Sequence, residues 1–234
     1  MEIAGYIKTS LIEWPGKISS VIFVPGCNFR CPFCHNADLV SRKGFTQILE
    51  KLIFTDLKSR KKWIDAVVVT GGEPTLQVDL SRFLSRIREM GLMTMIHTNG
   101  TKPEVIEKLI KKKLVDYWAM DLKGDLENYG RYVGNIKYQI SNIKTSIQLI
   151  ANSGVDYEFR TTVVPGLHNL KNLIKLARQI GTIFENCRWF LQQFRPINCV
   201  DKKYLTIKPY SEEELKKVCR KLQKIIPQTS IRGV

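Results

Sequence analysis

Three cysteines within eight residues, Cys27, Cys31 and Cys34, constrain this chain more than any other feature. They lie in the run Gly26-Cys27-Asn28-Phe29-Arg30-Cys31-Pro32-Phe33-Cys34-His35-Asn36, a C-x3-C-x2-C spacing that directly follows an apolar, β-rich segment. The N-terminus, Met1 to Ser10, lacks a basic stretch followed by an apolar one, and no run of about 18 apolar residues exists to span a bilayer. The expected compartment is therefore the cytoplasm, where clustered thiols serve metals or catalysis rather than disulfides. Four-iron clusters are held by cysteine thiolates, normally four. Three thiolates with no obvious fourth would leave one iron open to an external ligand, which suits chemistry better than electron storage. A structural zinc site competes, but adjacent Cys34 and His35 are poorly spaced to close one tetrahedron. The string Cys31-Pro32-Phe33-Cys34-His35 also matches a c-type haem attachment, which the missing export signal disfavours.

Around the cysteines, short β-rich runs alternate with helical patterns. The strand candidates are Ser19–Val24, Asp65–Thr70, Leu92–His97, Val115–Asp121, Tyr157–Val164 and Arg188–Phe194. The helix candidates are Thr46–Arg60, Val78–Met90, Pro103–Lys112, Ile140–Ser153, Leu170–Ile180 and Glu212–Ile226. Leu80, Phe83, Leu84 and Ile87 follow the i, i+3, i+4, i+7 rule of an amphipathic helix. Ser211 and Glu214 form a capping box before the last helix. Alternating strands and helices imply βαβ units and a parallel sheet, and the length suits one α/β domain over 1–234 with its core at roughly 17–232. Periodicity alone leaves two architectures open, a doubly wound sheet and an incomplete (β/α) barrel.

Further motifs fall at the C-terminal ends of these strands, where barrels and open α/β sheets both place their sites. They are Thr70-Gly71-Gly72-Glu73-Pro74, His97-Thr98-Asn99-Gly100, Met120-Asp121-Leu122-Lys123, Arg160 with Val163-Val164-Pro165-Gly166, and Gln193-Phe194-Arg195-Pro196. Each has a bland reading. Gly-Gly and Asn-Gly are ordinary turn formers, Asp121 and Lys123 can pair with each other, and Arg160 and Arg195 can be structural.

Taken in order, these motifs resemble the radical SAM superfamily, and the resemblance runs through most of the chain. It implies a partial (β/α)6 TIM-like barrel. It also implies a 4Fe-4S cluster held by Cys27, Cys31 and Cys34, and S-adenosyl-L-methionine (SAM) at the open iron. By the same resemblance Phe33 lies against the adenine, and Gly71, Gly72 and Glu73 take the methionine end, with Glu73 near its ammonium. Thr98, Asn99, Asp121, Lys123, Arg160 and Arg195 face SAM or substrate. The implied chemistry is reductive cleavage of SAM to a 5′-deoxyadenosyl radical. Two local features narrow the resemblance further. Cys34-His35-Asn36 and the preceding Glu13-Trp14-Pro15-Gly16-Lys17 are similar to the glycyl-radical-enzyme activases, most of all those of anaerobic ribonucleoside-triphosphate reductase. The implied partners are that reductase and an electron donor such as flavodoxin or ferredoxin. Related activases often carry an acidic residue where His97 stands, which bears on an ancillary cation site there.

The net charge of +15 keeps an acidic partner in view, whether nucleic acid, anionic cofactor or electron-transfer protein, but it is diffuse and reads first as a basic surface. A radical SAM enzyme acting on a small molecule or RNA would share the same core motifs. A non-catalytic iron–sulfur or zinc nucleic-acid module would not need the Gly71-Gly72-Glu73-Pro74 segment. Cys219 reads as a small core residue on an apolar helix face; Cys187 and Cys199 have no C-x2-C spacing and no assigned role.

Overall fold

A computed structural model describes residues 1–134, 139–181 and 187–233. Eight strands form one sheet in sequence order: β1 (Gly5–Ser10), β2 (Ser19–Val24), β3 (Ala66–Gly71), β4 (Met93–Thr98), β5 (Tyr117–Asp121), β6 (Asp156–Val163), β7 (Trp189–Gln193) and β8 (Thr229–Arg232). Strand β1 runs antiparallel to β2, and every later pairing is parallel. The two edge strands do not pair with each other, so the barrel stays open between β1 and β8.

The six strands expected from sequence are β2 to β7. The edges β1 and β8 add to the expected (β/α)6 core, because Gly5–Ser10 and the four-residue Thr229–Arg232 carry too little apolar pattern to announce a strand. Helices are α1 (Ala37–Ser41), α2 (Glu50–Arg60), α3 (Leu80–Glu89), α4 (Pro103–Lys111), α5 (Gly130–Val133), α6 (Ile140–Ala151), α7 (Leu170–Gly181) and α8 (Glu212–Leu222). The four- and five-residue helices α5 and α1 are too short to show a period. Helix α2 begins at Glu50 rather than Thr46, because Leu49 is extended and the Ile48 N–H donates to the Ile3 carbonyl at 2.9 Å. Helix α8 starts with the expected Ser211–Glu214 capping box but ends at Leu222. Pro227 disfavours a helical conformation at Ile226, so the helix cannot run on to it.

Side chains along a strand alternate faces, and the two faces do different work. Ile22, Val24, Val67, Val69, Ile96, Trp118 and Met120 point outward into the large core shared with the helices. Val21, Ala66, Val68, Met95, Tyr117 and Ala119 point inward and make a small second core with Trp14. Continuing each inward row toward the strand C-terminus leads to Thr70, His97, Asp121, Arg160, Thr162, Gln192 and Arg232, all of which line one cavity. On β3, β4 and β5 the inner row thus changes from apolar packing to polar side chains within two residues.

Trp14 closes the apolar end of the barrel. It is 6% exposed and tilts against Tyr117 with ring centroids 5.5 Å apart. A turn with Gly16 at φ 77° and a Lys17 N–H to Trp14 carbonyl bond of 3.1 Å aims it inward. The Glu13–Lys17 segment is therefore a plug. Trp14→Ala should lower the unfolding free energy by roughly 3 kcal/mol, with Trp14→Phe recovering most of it in thermal melts. A loss below about 1 kcal/mol would mean that the plug is not packed as described.

Candidate active site

The cysteine run leaves β2 as an irregular loop with its backbone tied on three sides. The Gly72 N–H donates to the Val24 carbonyl at 2.7 Å, and the Glu73 N–H to the Gly26 carbonyl at 2.8 Å. The Arg30 N–H donates to the Val133 carbonyl at 3.0 Å. The Val200 N–H reaches the Cys34 carbonyl at 3.1 Å, and the Asp201 N–H the Pro32 carbonyl at 2.9 Å. Within the loop the Cys34 N–H donates to the Cys31 carbonyl at 3.0 Å, and Arg30 Nη1 donates to the Cys27 carbonyl at 2.6 Å. Asn36 Nδ2 donates to the Gly71 carbonyl at 3.1 Å, which gives the Asn of Cys-His-Asn a physical role.

All three thiols, none in a disulfide, line a cavity of about 680 Å³. Phe33, Gly71, Gly72, Glu73, Thr98, Asn99, Asp121, Lys123, Arg160 and Arg195 line the same cavity, so every site residue named from sequence converges there. Burial pushes the Cys27 thiol up to about 11 and the Cys31 thiol up to about 12. A metal must therefore displace their protons, as thiolate ligation requires. Among the described residues no three His, Cys, Asp or Glu side chains are arranged around a single ion. Three thiols spread round a cavity fit a polynuclear cluster better than one tetrahedral zinc.

One wall of the cavity is built on Glu73, which is 1% exposed. Its Oε1 accepts from the Thr75 N–H at 3.1 Å, Thr75 Oγ1 at 2.5 Å and Thr98 Oγ1 at 2.7 Å; its Oε2 accepts from the Asn99 N–H at 2.7 Å. Burial raises the carboxyl's affinity for a proton, and these donors pull against it. Glu73 and Thr98, both expected to face SAM, are thus bonded to each other. Asn99 Nδ2 donates to Asn28 Oδ1 at 2.8 Å and lies 3.8 Å from Cys27 Sγ, so it joins this wall to the cysteine loop.

The opposite wall is cationic. Asp121 accepts from Lys123 Nζ at 2.9 Å through one oxygen and from Arg160 Nε at 3.0 Å through the other. The Asp121–Lys123 pairing expected as the bland reading is present, with Arg160 added. Arg160 and Lys123 hold the Asp121 carboxyl far below the usual carboxylate range, despite its burial. Two cations on one carboxylate leave this wall a net positive charge facing Cys31 and Cys34. Arg160 Nη1 also lies 3.3 Å from His97 Nε2. Burial and Arg160 hold the His97 ring neutral, and its Nε2 faces the Arg160 guanidinium. Arg195 sits exposed at the mouth.

Sequence reasoning missed His168, a lone histidine in a turn. The Val164 N–H donates to its Nδ1 at 3.1 Å, so Nε2 carries the proton and donates to the Lys123 carbonyl at 2.8 Å. Tyr132 stacks on the ring at 4.8 Å and Phe33 meets it edge-on at 6.1 Å. His168 therefore fixes the backbone of the cationic wall and the ring of Phe33. Cys199 is buried behind the site with its sulfur 3.9 Å from the Phe33 carbonyl, and Cys187 and Cys219 lie in the main core.

Comparisons agree with this architecture. The Radical SAM superfamily model matches residues 21–179. The chain belongs to the radical SAM superfamily, whose members use a 4Fe-4S cluster and SAM. Its relatives include activating enzymes. A Methanocaldococcus jannaschii protein, provisionally named a glycyl-radical enzyme activating enzyme, is 36% identical over 99% of this chain and 96% of its own length. The pyruvate formate-lyase-activating enzyme of Clostridium pasteurianum is 31% identical over 74% of this chain and 73% of its own. The crystal structure of Streptococcus suis SuiB bound to S-adenosylmethionine has the same fold, with a TM-score of 0.69, 18% identity and coverage of 91% of this chain and 52% of that one. No helix among the described residues is long and apolar enough to cross a membrane.

Burial holds the His168 pKa down at about 4, against an ordinary 6.5. The unfolded chain therefore binds a proton between those values that the folded chain refuses, and stability from this group is full above pH 6.5 and lost as pH falls toward 4. The loss is on the order of 3 kcal/mol. Melting temperatures over pH 4–7 should fall more steeply in the wild type than in His168→Gln; equal slopes would exclude a neutral buried His168.

Proposed function

We propose that this chain generates a glycyl radical on a partner enzyme, with an anaerobic ribonucleoside-triphosphate reductase as the partner its Trp14-Pro15-Gly16-Lys17 segment favours. The observation that carries the reading is the single cavity in which three unpaired thiols meet a buried carboxylate on one side and a net cationic wall on the other. Cys27, Cys31 and Cys34 would hold the cluster, leaving one iron for SAM. With SAM bound, the reduced cluster supplies a 5′-deoxyadenosyl radical able to take a hydrogen atom from a glycine.

The chain's own residues bind and orient. Glu73, whose charge also raises the Cys27 proton affinity, complements a cationic group such as the SAM ammonium. Lys123 and Arg160, tied to Asp121, complement a carboxylate and offset the negative charge of ligated thiolates. Asn99 donates toward the Cys27 sulfur, which stabilises a thiolate there. Phe33, held edge-on by His168, offers an apolar surface for the adenine. The inner core under Trp14 keeps water out from below, as radical chemistry needs. A net charge of +15 suits docking of an acidic one-electron donor of the flavodoxin or ferredoxin kind.

Anaerobic, iron-loaded and reduced protein should release 5′-deoxyadenosine from SAM, and Cys27→Ala should abolish this while Cys219→Ala leaves it intact. Mixing with SAM and an anaerobic ribonucleotide reductase should give a glycyl-radical signal by electron paramagnetic resonance. SAM cleavage surviving in Cys27→Ala, or equal loss in both variants, would overturn the cluster assignment. A signal with other glycyl-radical enzymes and none with the reductase would overturn the partner.

A further inference from the structure

The cysteine loop and its partners account for the β2 to β5 half of the cavity, but not for its far side. There Thr162, Gln192 and Arg232 stand in register across β6, β7 and β8, all on the inward face and all lining the cavity. They form the row above Arg160 and Phe190, which are also in register. Arg232 is spent: both its terminal nitrogens bind the fully buried Glu158, at 2.6 and 3.0 Å, and it lies over Phe190 at 3.9 Å. Tyr117 donates to the same carboxylate at 2.8 Å. Thr162 and Gln192 are half-buried, and among the described residues neither side chain has a protein partner. The row is therefore electrically neutral and offers one hydroxyl and one primary amide with donor and acceptor both unspent.

The geometry points to Thr162 and Gln192 as the subsite for backbone amides of the partner's glycine-bearing segment. This rests on the activase reading and deepens it. A peptide group presents one donor and one acceptor without charge, which is what Gln192 and Thr162 complement. Neighbouring strands lie roughly 4.8 Å apart, so the two side chains can engage successive polar groups of one extended segment. The charged groups of SAM have charged complements elsewhere, at Glu73 and at Lys123 with Arg160. The row also adjoins the unclosed gap between β8 and β1, where a polypeptide can reach the cavity from the side. Ile12, in the β1–β2 turn, and Ile197, after β7, line the cavity yet remain 80% and 62% exposed. Apolar surface left exposed at the cavity's edges suits burial by a macromolecule that reaches in from outside.

The test uses the cluster-loaded, reduced enzyme with SAM and a capped peptide, acetyl-Ala-Gly-Ala-amide, dideuterated at the glycine α-carbon. A second peptide carries N-methylglycine in its place. Wild type should move deuterium into 5′-deoxyadenosine from the first peptide and far less from the second. Gln192→Met and Thr162→Val should each weaken peptide binding by calorimetry, and raise KM, about tenfold, the worth of one hydrogen bond. SAM affinity and peptide-independent SAM cleavage should stay at wild-type values, which also shows that the variants fold. Variants that weaken SAM binding instead would assign the row to the nucleoside and overturn the inference; so would wild-type peptide affinity in both. A wild type that cleaves SAM but takes no deuterium from either peptide, and raises no radical on any glycyl-radical enzyme, would fail the activase reading itself.

Discussion

Everything at this site depends on one backbone contact, that of Gly72 against Gly26. A Cβ on Gly72 would lie 2.0 Å from the Gly26 carbonyl oxygen, and one on Gly71 would lie 2.7 Å from the Val24 backbone. Only glycine permits this approach, and Gly71 also takes a φ of 112°. The contact sets the start of the cysteine loop directly on the β3 turn. The same turn then delivers Glu73, whose carboxylate gathers Thr75, Thr98 and the Asn99 N–H. Asn99 in turn reaches Asn28 and the Cys27 sulfur. Three segments far apart in sequence are thereby fixed to one another before any cofactor is considered.

That arrangement separates charge across the cavity. A buried carboxylate stands near Cys27, while Lys123 and Arg160 share one carboxylate opposite Cys31 and Cys34. Neither wall would be stable as an isolated charge in the interior. Glu73 is held by four hydrogen bonds, and each of the two cations has Asp121 as counter-ion. The polarity is therefore built into the protein and costs no rearrangement when a zwitterionic, cationic ligand such as SAM arrives.

How much of this could be read from sequence follows from which interactions are local. Strands β2 to β7 were legible because each is a short apolar run between helical periods. The motif residues that line the cavity are legible because they sit at strand ends beside turn formers. The edge strands were not, since Gly5–Ser10 is mixed in character and Thr229–Arg232 is four residues long. Glu73 and Thr98 both line the cavity, but their bond to each other is a contact between the ends of β3 and β4 that no spacing reveals. His168 was invisible for the same reason: its partners are Val164, four residues away, and Lys123, on another strand's loop. In the sequence Trp14 stands out only as part of a motif. Its role as a plug depends on Tyr117, which is distant in sequence.

The open barrel explains why function divides between its two halves. A closed ring of parallel strands would present one mouth, at the strand C-termini. Here β1 and β8 leave a gap, and the inward face beside it carries Glu158, Arg160 and Thr162 up β6, with Gln192 and Arg232 in register with Thr162 and Phe190 the apolar member of the row below. The half without a gap, β2 to β5, is apolar below and supports the cysteine and glycine loops above. Apolar packing is thus concentrated under the loop whose cysteines would hold the cluster. Polar groups are concentrated beside the gap, where the proposed peptide segment would enter. The Arg232–Glu158 pair lies within the β6 to β8 half and neutralises a buried charge that an apolar core could not accommodate alone.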